Sequence, residues 1–255
     1  MGNAGTTIKG ALRTAILSVP IPQSVARRGA EAMEFWNNQE GPRWGSDTHT
    51  RGAVPGWETI GPEHRELFTR FAVACGVDTS PRRILEWGAG GGANAVAFAP
   101  HAQEFIAVDV SGSILEECRQ RVADVCSTPF VPVLVGVNSP HDVFNEVSGE
   151  VDLFLCLYVI ELLPSKEHAR RVIQHASRLL RSGGSAFVQV KYRTRSPWTR
   201  PRSWSYARQV AAMTSFDIDE FWHLSQECGL TPRLITLVPK NELDERYAYY
   251  FLTKD

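Results

Sequence analysis

The chain has 255 residues, 43% of them hydrophobic and 22% charged, with a formal net charge of -1. That is the composition of an ordinary globular domain with a sizeable core. It excludes a protein that grips nucleic acid through a uniformly basic surface. The five cysteines, Cys75, Cys118, Cys126, Cys156 and Cys228, show neither a Cys-x-x-Cys pair nor zinc spacing, so free thiols in a reducing cytoplasmic compartment are expected. No apolar run reaches the ~20 residues that span a bilayer, so no membrane partner is expected.

Residues 1–61 read as an arm, with an amphipathic stretch followed by a segment rich in Gly, Pro and Trp that includes Trp44 and Trp57. Residues 62–255 read as one domain of alternating helices and strands. Pro62 suits the first turn of a helix, PEHRELFTRFAVAC, which Gly76 ends. Strand RILEW runs into glycines, and a helix follows from about Ala93. Strand FIAVDV, helix SILEECRQRVADV, strand PVLVGV and strand VDLFLCL come next. Helix HARRVIQHASRLL is expected to be capped by Gly183 and Gly184, before strand SAFVQV. An insertion at about 191–214 precedes helix IDEFWHLSQEC, for which Asp217 and Glu220 make a capping box. Strand-like runs RLITLV and YAYYFLTK close the chain. Continuous apolar strands between helices predict an α/β fold, a mostly parallel sheet covered on both faces and completed by an antiparallel hairpin strand. Ligands bind such sheets beyond the carboxyl ends of the strands.

One such end reads Glu86-Trp87-Gly88-Ala89-Gly90-Gly91-Gly92-Ala93-Asn94. Its glycines permit a tight turn and let a ligand approach the backbone. Gly88, Gly90 and Ala93 also satisfy the pattern of nicotinamide and flavin enzymes, which keeps an oxidoreductase in view. Glu86 argues against it, because a carboxylate two residues before the first glycine repels a pyrophosphate and suits a cationic ligand. Asp109 ends the next strand, where an acid can hold both ribose hydroxyls. Read singly, Glu86 is equally a solvated strand end and Asp109 a capping residue.

ILEWGAGGGAN, VDVS, VDLFLCLYVIELLP and LLRSGGSAFVQV, taken in order, resemble the successive motifs of class I S-adenosylmethionine (SAM) dependent methyltransferases. The resemblance covers roughly residues 62–255 and implies a Rossmann-like seven-stranded sheet with the last strand reversed. It implies that Gly88, Gly90 and Gly92, with Ala89 and Asn94 in the same loop, hold the methionine part of SAM, and that Asp109 holds the ribose. The adenine is then expected near Val110, Leu157 and the loop Asn138-Ser139, with Asp142 competing for its amine.

Methyl transfer is an in-line displacement that needs the nucleophile about 3 to 3.5 Å from the methyl carbon, and a base when it is an aliphatic hydroxyl. The candidates at strand ends are Tyr158, Glu161 and His141. Many relatives read glutamate-histidine where this chain has Glu161-Leu162, which weakens a metal analogy. Asp142 could still join Glu161 at a magnesium ion, although nothing in the spacing demands it. The stretch KYRTRSPWTRPRSWSY, from Lys191 to Tyr206, holds five basic residues, no acid and two prolines, so it reads as a lid loop and not a helix. Lys191, Tyr192, Arg193, Trp198 and Trp204, with Trp44 and Trp57 of the arm, are expected to bind the acceptor. Arginine forks and tryptophan faces favour a hydroxyl-rich or anionic small molecule, a saccharide or glycosylated metabolite first and a phenol or polyketide next. The rest of the chain is net acidic, so nucleic acid is disfavoured, and an RNA or protein acceptor is the alternative that follows. A non-catalytic SAM-binding module is the rival from another class, and a homodimer is an open assembly state.

Overall fold

Seven strands rich in β-branched and aromatic residues make up the sheet of the computed structural model, which describes residues 23–37, 59–201, 206, 213–238 and 246–255. They are β1 Arg83–Trp87, β2 Glu104–Asp109, β3 Phe130–Leu134, β4 Val151–Cys156, β5 Leu180–Lys191, β6 Thr231–Val238 and β7 Tyr247–Thr253. Their order is β3-β2-β1-β4-β5-β7-β6. Pairing is parallel from β3 to β5, and β7 runs antiparallel to both its neighbours. The expected Rossmann-like sheet with a reversed last strand is the sheet observed. Pro132 is tolerated in β3 because that strand lies at the sheet's edge.

The helices are α1 Val25–Asn37, α2 Ile60–Cys75, α3 Ala95–Phe98, α4 Gly112–Val125, α5 Val143–Glu146, α6 Lys166–Leu179 and α7 Ile218–Glu227. One face of the sheet buries Ile84, Phe105 and Leu155 under α2, α3 and α4. The other buries Leu85, Ile106 and Phe154 under α5, α6 and α7. Alternation along each strand fixes these faces. It puts Glu86 on the side of α2.

Several boundaries differ from the sequence expectation for local reasons. Helix α2 begins at Ile60, two residues early, and ends at Gly76 (φ 66) as expected. The helix after the glycine loop is short because Pro100 turns it into a 3-10 turn, Ala99–His101. Strand β3 stops at Leu134, and Val135 to Val137 pass beneath α1, where the Val137 amide meets the Met33 sulfur at 3.3 Å. Helix α6 is not capped by Gly183 and Gly184. It breaks at Leu180, and the glycines lie within β5, where the Gly183 amide donates to the Lys254 carbonyl at 2.7 Å. The Asp217–Glu220 capping box forms as expected. All five cysteines are free.

The two ends of the insertion are pinned together. Tyr192 pairs with Phe216, and the Arg193 amide donates to the Phe216 carbonyl at 2.8 Å. Arg193 then forks onto Asp217, with both contacts at 2.7 Å, and reaches Glu220 at 3.2 Å.

His175 on α6 is 7% exposed, and neither ring nitrogen has a hydrogen-bond partner among the described residues. It packs against Phe144 and Trp87. Burial, followed by Arg178, lowers its pKa to about 4. The neutral ring's stability is therefore present above the ordinary value of 6.5 and lost as pH falls towards 4. His175→Leu should lose that dependence. In denaturant titrations the variant should gain roughly 2 kcal/mol on the parent between pH 7 and pH 5. A constant difference would show that His175 is solvated.

Candidate active site

The carboxyl ends of β1, β2 and β4, with the segment after β3, surround one cleft. It is lined by the Trp87–Gly90 turn, by Asp109 and Val110, by Val135 to Val137, and by Leu157 to Val159. Gly88 has φ 74, and a Cβ there would lie 2.3 Å from Val159 Cγ2. Glycine is thus required where the loops after β1 and β4 meet. The Gly88 and Ala89 amides donate to the Val108 carbonyl at 2.7 and 3.1 Å, which ties the turn to β2.

Asp109 is fixed by the backbone. Its Oδ2 accepts from the Gly90 amide at 3.0 Å, and its Oδ1 accepts from Val110 at 2.7 Å and Ser111 at 3.1 Å. Burial pushes its pKa up, against those three bonds. A carboxylate held this way at a cleft edge presents its remaining lone pairs to hydroxyl donors.

Glu86 is 1% exposed. Its Oε1 accepts from Asn94 Nδ2 at 2.8 Å, and its Oε2 is buried with no hydrogen-bond partner among the described residues. Burial raises its pKa to about 8, against the Asn94 bond and with a further push from Asp109. A buried acid with one orphaned oxygen, beside a glycine turn that admits a ligand, suits a cationic ligand. Glu86, Asn94, the turn and Asp109 fit the ammonium, the sulfonium and the ribose of SAM. The group itself supplies an electrophilic methyl.

Gly88, Ala89, Gly90, Asn94, Asp109, Val110, Leu157 and Tyr158 all line the cleft. Glu86 and Gly92 do not. Glu86 lies behind the turn, reached through Asn94, and Gly92 packs on α4, where a Cβ would meet Cys118 Sγ at 2.9 Å. Asn138 and Ser139 lie behind the wall made by Gly136, Val137 and Pro140. Asn138 Oδ1 accepts from His168 Nε2 at 3.3 Å, and the side chain packs under Gly29 of α1.

Tyr158 has φ 56, a left-handed conformation that bulky residues rarely adopt. Its ring packs against His64 and Tyr247. Glu161 lies outside the lining, 1% exposed, and accepts from the Tyr247 hydroxyl at 2.8 Å. His141 is an exposed surface side chain paired with Asp142 at 3.6 Å. Glu161 and Asp142 belong to no group of three or more metal-ligating side chains among the described residues. Lys191 stands 5.7 Å from the centroid of Tyr247, and Arg193 is engaged by Asp217. Trp44, Trp57 and Trp204 lie outside the described residues. For Trp198 only the backbone, in the 3-10 turn Pro197–Thr199, is described.

Sequence reasoning missed the groups that roof the cleft. Trp36 of α1 and Tyr206 both line it, and Trp36 Nε1 donates to the Tyr206 hydroxyl at 2.9 Å. Asn37 Nδ2 donates to the Val110 carbonyl at 3.1 Å, so α1 is fastened over the end of β2. The amphipathic stretch in the arm was the available signal, but no local pattern says which face of the domain such a helix covers.

Two variants test the assignments. Asp109→Ala should weaken binding of S-adenosylhomocysteine (SAH), read by calorimetry, by about a hundredfold for two lost charge-assisted hydrogen bonds. Unchanged affinity would misplace the ribose. Below pH 8 the parent must release a proton from Glu86 to receive a cation, so its SAH affinity should rise towards tenfold per pH unit between 6 and 8. Glu86→Gln should bind weakly, without that slope.

Residues 85–186 match the family model for a methyltransferase domain. Ubiquinone biosynthesis O-methyltransferase of Xanthomonas oryzae pv. oryzae is 26% identical over 142 residues. That match takes in 54% of this chain, which spans 56% of the curated relative. Among solved structures, the SAH complex of N-methyltransferase NodS from Bradyrhizobium japonicum WM9 superposes with a TM-score of 0.59, at 16% identity over 89% of this chain and 98% of that one. Magnesium protoporphyrin IX methyltransferase from Synechocystis PCC 6803, with bound SAH, gives 0.56 at 11% identity over 89% and 94%. A SAM-dependent methyltransferase from Leishmania major gives 0.63 at 12% identity over 89% and 83%. These matches give the chain the fold of the class I methyltransferases.

Proposed function

We propose that the chain is an enzyme that transfers the methyl group of SAM to an oxygen of a planar, largely apolar small molecule, a phenol or polyketide in preference to a saccharide. The observation that carries this reading is the lining of the cleft beyond the glycine turn. Trp36, Ile60, Tyr158, Leu162, Leu163 and Tyr206 supply aromatic and aliphatic walls. A saccharide needs an array of polar partners, and among the described residues this part of the cleft offers few. The basic residues expected to clasp a sugar are held elsewhere, Arg193 on Asp217 and Lys191 over Tyr247. A relative described as a ubiquinone biosynthesis O-methyltransferase supports oxygen as the acceptor atom. NodS, described as an N-methyltransferase, shows that the fold also serves nitrogen.

The lining also constrains the mechanism. His168 is its one imidazole, and both ring nitrogens are engaged, by Ser165 and Asn138. Burial lowers its pKa, with Arg171 acting in the same direction. A phenol ionises near pH 10, far more readily than an alcohol, so it asks less of a base. Apolar walls that exclude water and hold the acceptor in line then supply most of the rate. Glu161 and His141 have no contact with the cleft through which they would act on the acceptor.

Methyl-labelled SAM should be offered with a panel of phenols, hydroxylated polyketides and free or glycosidic sugars. Label should pass to the phenolic hydroxyls. Transfer to sugar hydroxyls with the phenols left unlabelled would overturn the reading. Trp36→Ala should raise the KM for the phenolic acceptor by about tenfold for the lost aromatic wall, with SAH affinity changed less than threefold. Equal losses in both would place Trp36 on the cofactor.

A further inference from the structure

A run of buried polar groups crosses the molecule from the glycine turn to the far side of the cleft. Its direction is set by the donors. Asn94 gives its Nδ2 hydrogen to Glu86 Oε1, which leaves Asn94 Oδ1 to accept from His64 Nδ1–H at 2.7 Å. His64 Nε2 is then an acceptor, and the Tyr249 hydroxyl, 2.9 Å away, donates to it. Tyr249 accepts in turn from Gln189 Nε2 at 2.8 Å. Gln189 Oε1 accepts from the Tyr158 amide at 2.7 Å. Every link points towards Glu86. His64, Gln189 and Tyr249 are 2%, 0% and 3% exposed. Burial lowers the His64 pKa to about 4, so the ring is neutral at pH 7, as the direction of the chain requires.

The groups come from six separated segments: β1, the glycine loop, α2, β7, β5 and the turn after β4. None of Glu86, His64, Gln189 and Tyr249 lines the cleft, whereas Asn94 and Tyr158 do. Hydrophobic side chains at these core positions would make an ordinary packed interior, and a half-satisfied network costs more than either. The Tyr158 backbone, at φ 56, is a strained turn that needs an outside hold. Its amide bond to Gln189 supplies one.

We propose that His64, Tyr249 and Gln189 are positioning residues, a single directed chain of hydrogen bonds that sets the Asn94–Glu86 pair on the cofactor side and the Tyr158 turn on the acceptor side as one unit. The proposal rests on the methyltransferase reading of the cleft. Occupancy by the cofactor draws on Asn94 and Glu86, and the chain carries that demand to the turn that faces the acceptor.

The test uses the full chain with SAH as the probe. Tyr249→Phe keeps the ring that stacks on Phe187 and removes the central hydroxyl. Gln189→Met breaks the chain one link further on, at a site no ligand touches. Each variant should keep a cooperative thermal transition and bind SAH about tenfold more weakly, the size of one lost buried hydrogen bond. Because both cut one chain, the double variant should also lose about tenfold and not a hundredfold. Nitrogen NMR of the parent should show His64 as the neutral Nδ1–H tautomer, a signature that core packing alone does not set, and in Tyr249→Phe the Nε2 resonance should move as that acceptor loses its donor while Nδ1 keeps its proton on Asn94.

Parent-like SAH affinity in both single variants would overturn the proposal, as would multiplied losses in the double variant or an Nε2–H tautomer in the parent. Should Tyr249→Phe fail to fold, Gln189→Met and the parent tautomer still decide. A parent that binds no SAH would instead refute the reading of the cleft, and so separates the two failures.

Discussion

Burial of the Glu86 carboxyl is the constraint around which the rest of the site is arranged. An acid at 1% exposure in the sheet's core keeps its charge only with partners, and the chain supplies one hydrogen bond, from Asn94. An ordinary glutamate ionises near 4.5 and this one near 8, so the folded chain takes up a proton between those values. Its stabilising effect is present at low pH and lost as pH rises through the folded pKa. The ionised form is therefore the destabilised one, and a cation brought beside the carboxylate would relieve it. Two neighbouring thiols register the same field: burial first, then Glu86 and other acids, raise Cys118 and Cys156 well above the usual range, leaving both unreactive.

That carboxyl can be held where it is because the parallel sheet ends there. Strands β1, β2 and β4 finish side by side, so the glycine turn, Asp109 and the Tyr158 turn come within reach of one small molecule although they are spread over seventy residues of sequence. Close approach of the two loops demands Gly88. The fixed position of Asp109, with three backbone amides on it, costs nothing in reorganisation when hydroxyls arrive.

Much of this was legible in the sequence because it is local. A glycine cluster following a strand, an acid at the end of the next strand and a capping box at Asp217 are written in consecutive residues. The mostly parallel sheet, covered on both faces, followed from alternation of strands with helices. What was not legible is what depends on distant partners. His64 looks like any histidine on an amphipathic helix until Asn94, 30 positions on, and Tyr249, 185 positions on, are brought to it. Gln189 reads as a polar interruption in a strand. Arg193 read as an acceptor clamp because its sequence neighbours are basic, and folding gave it two acids from α7 instead. Gly183 and Gly184 read as a helix cap because the carboxyl-terminal residue pairing with them lies 70 positions away.

The same distinction explains why the acceptor was harder to read than the cofactor. SAM presents fixed charges and hydroxyls, which call for particular residue types at particular strand ends. An apolar acceptor calls only for shape, and shape is assembled from residues that would look like core anywhere else. Trp36, Ile60 and Leu163 carry no chemical mark in the sequence. Trp36 reaches the cleft because Asn37 fastens α1 to the end of β2 and Trp36 itself bonds Tyr206, whereas Ile60 and Leu163 come to it from α2 and from the segment after β4. At the base of the insertion, the Arg193 fork on Asp217 and Glu220 uses its charge to pin the two ends of that segment together, which takes one guanidinium that the sequence offered as a ligand clamp and makes it a structural one.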